Sequence, residues 1–148
     1  MATEDLARAP ELEDAARAYE EGRRGEIREP MVRLYREAAG RGDHYNAAQA
    51  AHYLGLRGVS EKVEERIEWH SKSVEHAQAL PPSQSREMFT SLYINLAFNH
   101  EILALELYRR AGEHAATLPD DEYGRQVRGK LAEGIARLEI VGQPWEEA

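Results

Sequence analysis

The stretch Glu75-His76-Ala77-Gln78-Ala79-Leu80-Pro81-Pro82 returns 38 residues later as Glu113-His114-Ala115-Ala116-Thr117-Leu118-Pro119-Asp120, with five of the eight positions identical. The match spans the body of a helix and its end: Glu-His-Ala suits a last helical turn, and a proline just beyond cannot continue it. A second echo joins more distant parts of the chain. Leu34-Tyr35-Arg36-Glu37-Ala38 matches Leu107-Tyr108-Arg109-Arg110-Ala111 at an offset of 73, which is 35 plus 38. A middle copy therefore falls at residue 69, where Trp69-His70-Ser71-Lys72-Ser73 keeps the order bulky, aromatic, two variable positions, small. Units of this length made of two helices are the mark of a helical repeat array.

Working outward, apolar residues recur at helical spacing throughout and strand-like alternation is absent. Leu12, Ala15, Ala16 and Tyr19 form one stripe, and Met31, Leu34, Tyr35 and Ala38 the next. Gly22-Arg23-Arg24-Gly25 separates them, and Pro30 suits the first turn of the second helix. Gly40-Arg41-Gly42 ends that helix, and Asp43 caps a third carrying Ala47, Ala50, Ala51 and Leu54. Gly58 closes the third helix, with Ser60 as the expected cap of a fourth bearing Val63, Ile67, His70, Val74 and Ala77. After Pro81-Pro82, Met88, Leu92, Leu96 and Asn99 share one stripe, and Leu107, Tyr108, Ala111, Ala115 and Leu118 another. Two arrangements fit this stretch, two helices turning near Asn99-His100 or one long helix running through, and the repeat favours two. A last helix follows Pro119, with Asp120 as its cap and Tyr123, Val127, Leu131, Ile135 and Leu138 on its apolar face. Gly142 and Pro144 stop it, leaving a short tail with Trp145.

On these landmarks the chain resembles the tetratricopeptide-repeat family. That family carries a large-then-small pair in the first helix of each unit, which Leu54-Gly55 and Leu96-Ala97 resemble and Ala15-Ala16 with Tyr19 echo. Its second helix carries an aromatic followed three residues later by alanine, which Tyr35/Ala38 and Tyr108/Ala111 resemble. His70 and Ser73 stand at those places in the middle unit. The resemblance implies an all-α, right-handed solenoid of three helical hairpins, at about residues 10–40, 43–80 and 84–118, plus a C-terminal capping helix at 120–140 and a tail at 141–148. It also implies a groove lined by the first helix of each pair. The residues it places there are Arg17 with Glu13 and Glu20; Gln49, His52, Tyr53 and Leu56; and Ser91, Ile94, Asn95 and Phe98. Aromatic and aliphatic anchors beside amide and imidazole groups suit recognition of a protein or peptide, where a few buried anchors dominate the energy. The family's basic, Asn-containing clamp for a C-terminal carboxylate is not reproduced; Arg17 and Asn95 alone hint at it.

Composition narrows the function. Leu, Ile, Val and Phe number only 28 of 148 residues while Ala supplies 22, which fits helices packed closely through small side chains. The net charge of −8, from 27 acids against 19 bases, argues against a nucleic-acid partner, which needs a concentrated basic surface. No apolar run approaches the roughly 20 residues of a membrane span. The acidic start is no signal peptide, so a cytoplasmic protein is expected. With no cysteine, disulfides and thiolate chemistry are excluded.

Catalysis finds no support. Of the six histidines (His44, His52, His70, His76, His100 and His114) no two are spaced i, i+4, and no Glu-x-x-His occurs. His76 and His114 hold equivalent repeat positions at helix ends, where a cation is favoured. The serines lack a nucleophile-elbow setting, and phosphate and dinucleotide loops are missing. No metal, cofactor or catalytic residue is therefore expected. The reading is a non-catalytic interaction module for a protein or peptide, with a homodimer as a further expectation because three units lie near the minimum for a stable array. Two alternatives fit the same residues: a small-molecule sensor or enzyme using His52 or His100 in an inter-helix pocket, and a regulatory subunit of a separate output protein.

Overall fold

The computed structural model describes residues 8–141, and these are helical with no strand. The order is α1 (Pro10–Glu20), a short 3₁₀ turn (Arg24–Glu26), α2 (Arg28–Gly40), α3 (His44–Leu54), α4 (Val63–Gln78), α5 (Pro82–Ala115) and α6 (Glu122–Val141). Among the described residues no helix is long and apolar enough to cross a membrane. Gly142, Pro144 and Trp145, and the N-terminal start, lie outside the described residues. The chain forms two compact units that divide between Ala97 and Phe98, inside α5.

In the first unit α1 opens on Pro10, whose missing N–H costs nothing at a helix start. Leu12, Ala15 and Ala18 of α1 meet Ile27 just before α2, Met31 and Leu34 of α2, Ala50 and Leu54 of α3, and Leu56 and Val59 beyond it. A second cluster joins Ala48 to Val74, Ala77 and Leu92. The central element is thus α3, which is buried on two sides: Ala50 faces one cluster and Ala48 the other. Its alanines make this possible, because four of them, Ala47, Ala48, Ala50 and Ala51, are wholly buried without holding neighbouring backbones apart. Ser73 of α4 comes close enough to donate from Oγ to the Ala48 carbonyl at 2.6 Å.

The entry to α3 is fixed by Asp43. Gly42 before it has φ +74°, a conformation glycine adopts without strain. Asp43 Oδ1 accepts from the Asn46 backbone N–H at 3.1 Å, and Oδ2 accepts from the Asn46 side chain at 2.7 Å. Burial pushes the Asp43 carboxyl up, but the Asn46 bonds and Arg41 outweigh it and hold the group below its ordinary range. Asn46 in turn accepts from the Ala9 backbone N–H at 2.9 Å, tying α1 to α3. Asp43→Ala should therefore lower stability by about 1–2 kcal/mol, read as a lower urea midpoint with an unchanged slope.

Two other expected caps move. The fourth helix starts at Val63, not beside Ser60; Ser60 is wholly buried in the preceding loop, whose shape is set by Arg66 donating to the Ser60 and Glu61 carbonyls at 3.0 and 2.9 Å. At α6 it is Asp121, one residue later than expected, whose carboxylate accepts from the Gly124 N–H at 2.8 Å. Asp120 instead pairs with Arg125 at 3.1 Å.

The largest departure is α5. The turn expected near Asn99-His100 is not formed, and a single helix of 34 residues runs through. Between Pro82 and Gly112 the sequence has neither proline nor glycine, so nothing local interrupts the hydrogen-bond ladder.

In the second unit the later part of α5 lies antiparallel to α6. Tyr108 packs on Gly134, where an added Cβ would fall 2.6 Å from the phenol Cζ. Arg128 donates to the Ala115 and Leu118 carbonyls at 3.2 and 3.3 Å, satisfying groups left open at the end of α5. Arg109 and Glu139 pair at 3.6 Å near the far end of the hairpin.

Candidate binding cleft

Tyr45, Gln49 and His52 recur on α3 at intervals of four and three, which places them on one helical face. Gln84, Met88, Ser91 and Leu92 do the same at the start of α5. These seven side chains line a cleft of about 340 Å³ that lies wholly within the first unit. None of the seven carries a formal charge at neutral pH when its imidazole is neutral. Leu92 is buried beneath, packed with Ala48 and Val74, so the floor is apolar and fixed.

His52 belongs to the cleft and to the core at once. Its Nδ1 is sealed from solvent without a hydrogen-bond partner. Burial holds the imidazole's pKa down at about 4, so it is neutral at physiological pH. Its ring lies 5.5 Å from that of His70, centroid to centroid. His70 is wholly buried, with its ring set against the Gly55 backbone. Burial first, then the neighbouring His52, lowers its pKa to about 3. The His70 ring lies directly on Gly55, at the C-terminal end of α3. A Cβ on Gly55 would come within 2.6 Å of His70 Cε1 and closer still to Cδ2 and Nε2. The large-then-small pair Leu54-Gly55 and the aromatic position His70, singled out separately in the sequence, are thus in direct contact.

A second imidazole pair crosses between α3 and α4. His44 Nδ1 and His76 Nδ1 are 3.0 Å apart, and His76 Nε2 is 3.1 Å from the Tyr35 hydroxyl. A bond between two Nδ1 atoms needs one protonated and one bare nitrogen. Burial and the adjacent His44 lower the His76 pKa, while Glu75 opposes them. Tyr35 also meets Trp69 edge to face at 5.1 Å. His114 is exposed and makes no comparable cluster, so the two repeat-equivalent histidines differ in surroundings. Among the described residues no three His, Asp or Glu side chains gather as metal ligands.

The eleven residues assigned to the groove from sequence are dispersed, with Glu13 and Glu20 exposed on α1. Gln49, His52 and Ser91 line the cleft. Arg17 is exposed and pairs with Asp14 on its own helix at 3.1 Å. Tyr53 packs against the first core cluster, and burial raises its pKa. Leu56 lies past the end of α3 and is buried in that cluster, so it lines no groove. Ile94 is exposed. Asn95 continues the α5 stripe one turn beyond Ser91 but is wholly buried, and Phe98 is buried in the second unit. The sequence reading missed Tyr45, Gln84, Met88 and Leu92 as cleft residues. The signal for them was present in the stripe that continues from Gln49 back to Tyr45 and from Ser91 back to Gln84. The chain matches no protein-family model, no curated protein and no solved structure.

Proposed function

We propose that this chain is a non-catalytic module that holds another protein or peptide in the cleft between α3 and the start of α5. The observation that carries the reading is the meeting of Tyr45, Gln49 and His52 with Gln84 and Ser91 over an apolar floor of Met88 and Leu92. A firm floor with a few hydrogen-bonding groups is the arrangement by which helical surfaces recognise a partner. The repeat pattern supports the same reading. Gly55 under His70, and Ser73 against the Ala48 carbonyl, are close helix contacts of the kind that a degenerate tetratricopeptide hairpin would make. In this reading α1–α2 and α3–α4 are two hairpins, and the start of α5 supplies the next inner helix without a turn behind it.

The test is affinity capture with the intact chain and two variants. Gln49→Arg places a long cation in the cleft and should reduce capture of the partner at least tenfold, with helix content by circular dichroism unchanged. Arg36→Glu, on an exposed position of α2, should leave capture unaltered. Equal loss from both, or from neither, would remove the cleft from the account.

A further inference from the structure

We propose that the group entering the cleft is an uncharged carboxamide, the side chain of a glutamine or asparagine on the partner. The inference rests on the docking reading above and adds the chemistry of what is recognised. Gln49 and Gln84 approach from opposite walls, one on α3 and one on α5. Each side-chain amide offers a donor and an acceptor in one plane, so each can pair with both halves of another amide.

His52 supplies the orientation. Its Nδ1 is shut away from solvent with no partner. A buried N–H without an acceptor is rarer and costlier than a bare lone pair without a donor. The ring proton therefore sits on Nε2, and His52 offers the cleft a neutral N–H donor. That donor fits the carbonyl half of a carboxamide and leaves the amide N–H₂ for the glutamine carbonyls.

Charged ligands fit less well. A carboxylate would meet no cation among the lining side chains, and the burial that keeps the His52 imidazole neutral prevents it from becoming one at neutral pH. The net charge of −8 adds a field that repels anions. An ammonium would find no lining carboxylate. Either ion would be desolvated without compensation. Met88 and Leu92, by contrast, offer an apolar floor for the methylenes that carry a carboxamide.

The test compares three probes that differ at the side-chain terminus, titrated into the full chain and followed by NMR: the N-acetyl N-methylamides of glutamine, glutamate and lysine. The glutamine probe should saturate with a Kd on the order of 1 mM, as expected of so small a ligand. It should shift the signals of His52 and Ser91, and the other two probes should bind at least tenfold more weakly. Gln49→Leu and Gln84→Leu, both at partly exposed positions, should each weaken the glutamine probe at least threefold while the amide spectrum stays folded. Glutamate or lysine binding as tightly as glutamine would overturn the carboxamide and leave the cleft as a docking site. No saturable shift with any probe would also overturn it, and the docking reading would then stand or fall on the capture experiment alone.

Discussion

Between pH 7.5 and pH 5 the folded state should lose about 4 kcal/mol of stability, roughly 2 kcal/mol from each of two buried imidazoles. His52 and His70 have folded pKa values of about 4 and about 3, against the ordinary value of 6.5. A histidine whose pKa is depressed by folding binds more protons when unfolded. Stability therefore rises with pH across the gap and is lost as pH falls from just above 6.5 toward the folded value. His76 is shifted in the same direction and adds to the loss. Since a domain holds only about 5–15 kcal/mol in total, this is a large fraction. Urea denaturation at half-unit pH steps checks it. His52→Gln, which cannot titrate, should remove about half of the slope. A flat profile between pH 7.5 and 5 would mean that the two rings are solvated, and the packing described for α3 and α4 would be wrong.

Gly55→Ala should be the most damaging single methyl that can be added to the first unit, at about 3 kcal/mol. The new carbon would overlap the His70 ring, which is fully buried. With a urea slope near 2 kcal/mol per molar, the midpoint should fall by about 1.5 M. The cause can be isolated by a double-mutant cycle. His70→Ala alone opens a cavity and destabilises, but it also makes room for the Gly55→Ala methyl. The double variant should then be more stable than the sum of the two singles predicts, by about 2 kcal/mol. Additive effects would show that the ring and the glycine do not touch.

These two expectations come from contacts that the sequence foreshadowed unevenly. Helix positions were legible because glycine and proline act locally: Gly40-Arg41-Gly42 and Pro81 end or begin helices whatever surrounds them. Asp43 was legible as a cap for the same reason. Ser60 and Asp120 were not, because a cap competes with tertiary bonds. Arg66 fixes the loop that buries Ser60, and Asp120 is drawn to Arg125 while its neighbour Asp121 takes the cap. The continuous α5 shows a repeat argument yielding to local propensity: the offset called for a turn, but no residue near Asn99-His100 can break a helix.

Site residues were less legible than helices, and the reason is rotational. Face assignment from one landmark holds for about two turns. Gln49, His52 and Ser91, near their landmarks, line the cleft. Leu56 follows the helix end and Phe98 lies in the other compact unit, so neither lines it. The burial of the His70 ring has no sequence signature, because it depends on Gly55 and His52 arriving together from another helix.

The most direct measurement is photo-crosslinking in the living cell from a light-activated residue placed at position 49 in the cleft and, separately, at position 36 on α2. A module that holds its partner between α3 and α5 should give a discrete crosslinked species from position 49 and none from position 36. Crosslinks from position 36 alone, or of equal yield from both, would contradict the account.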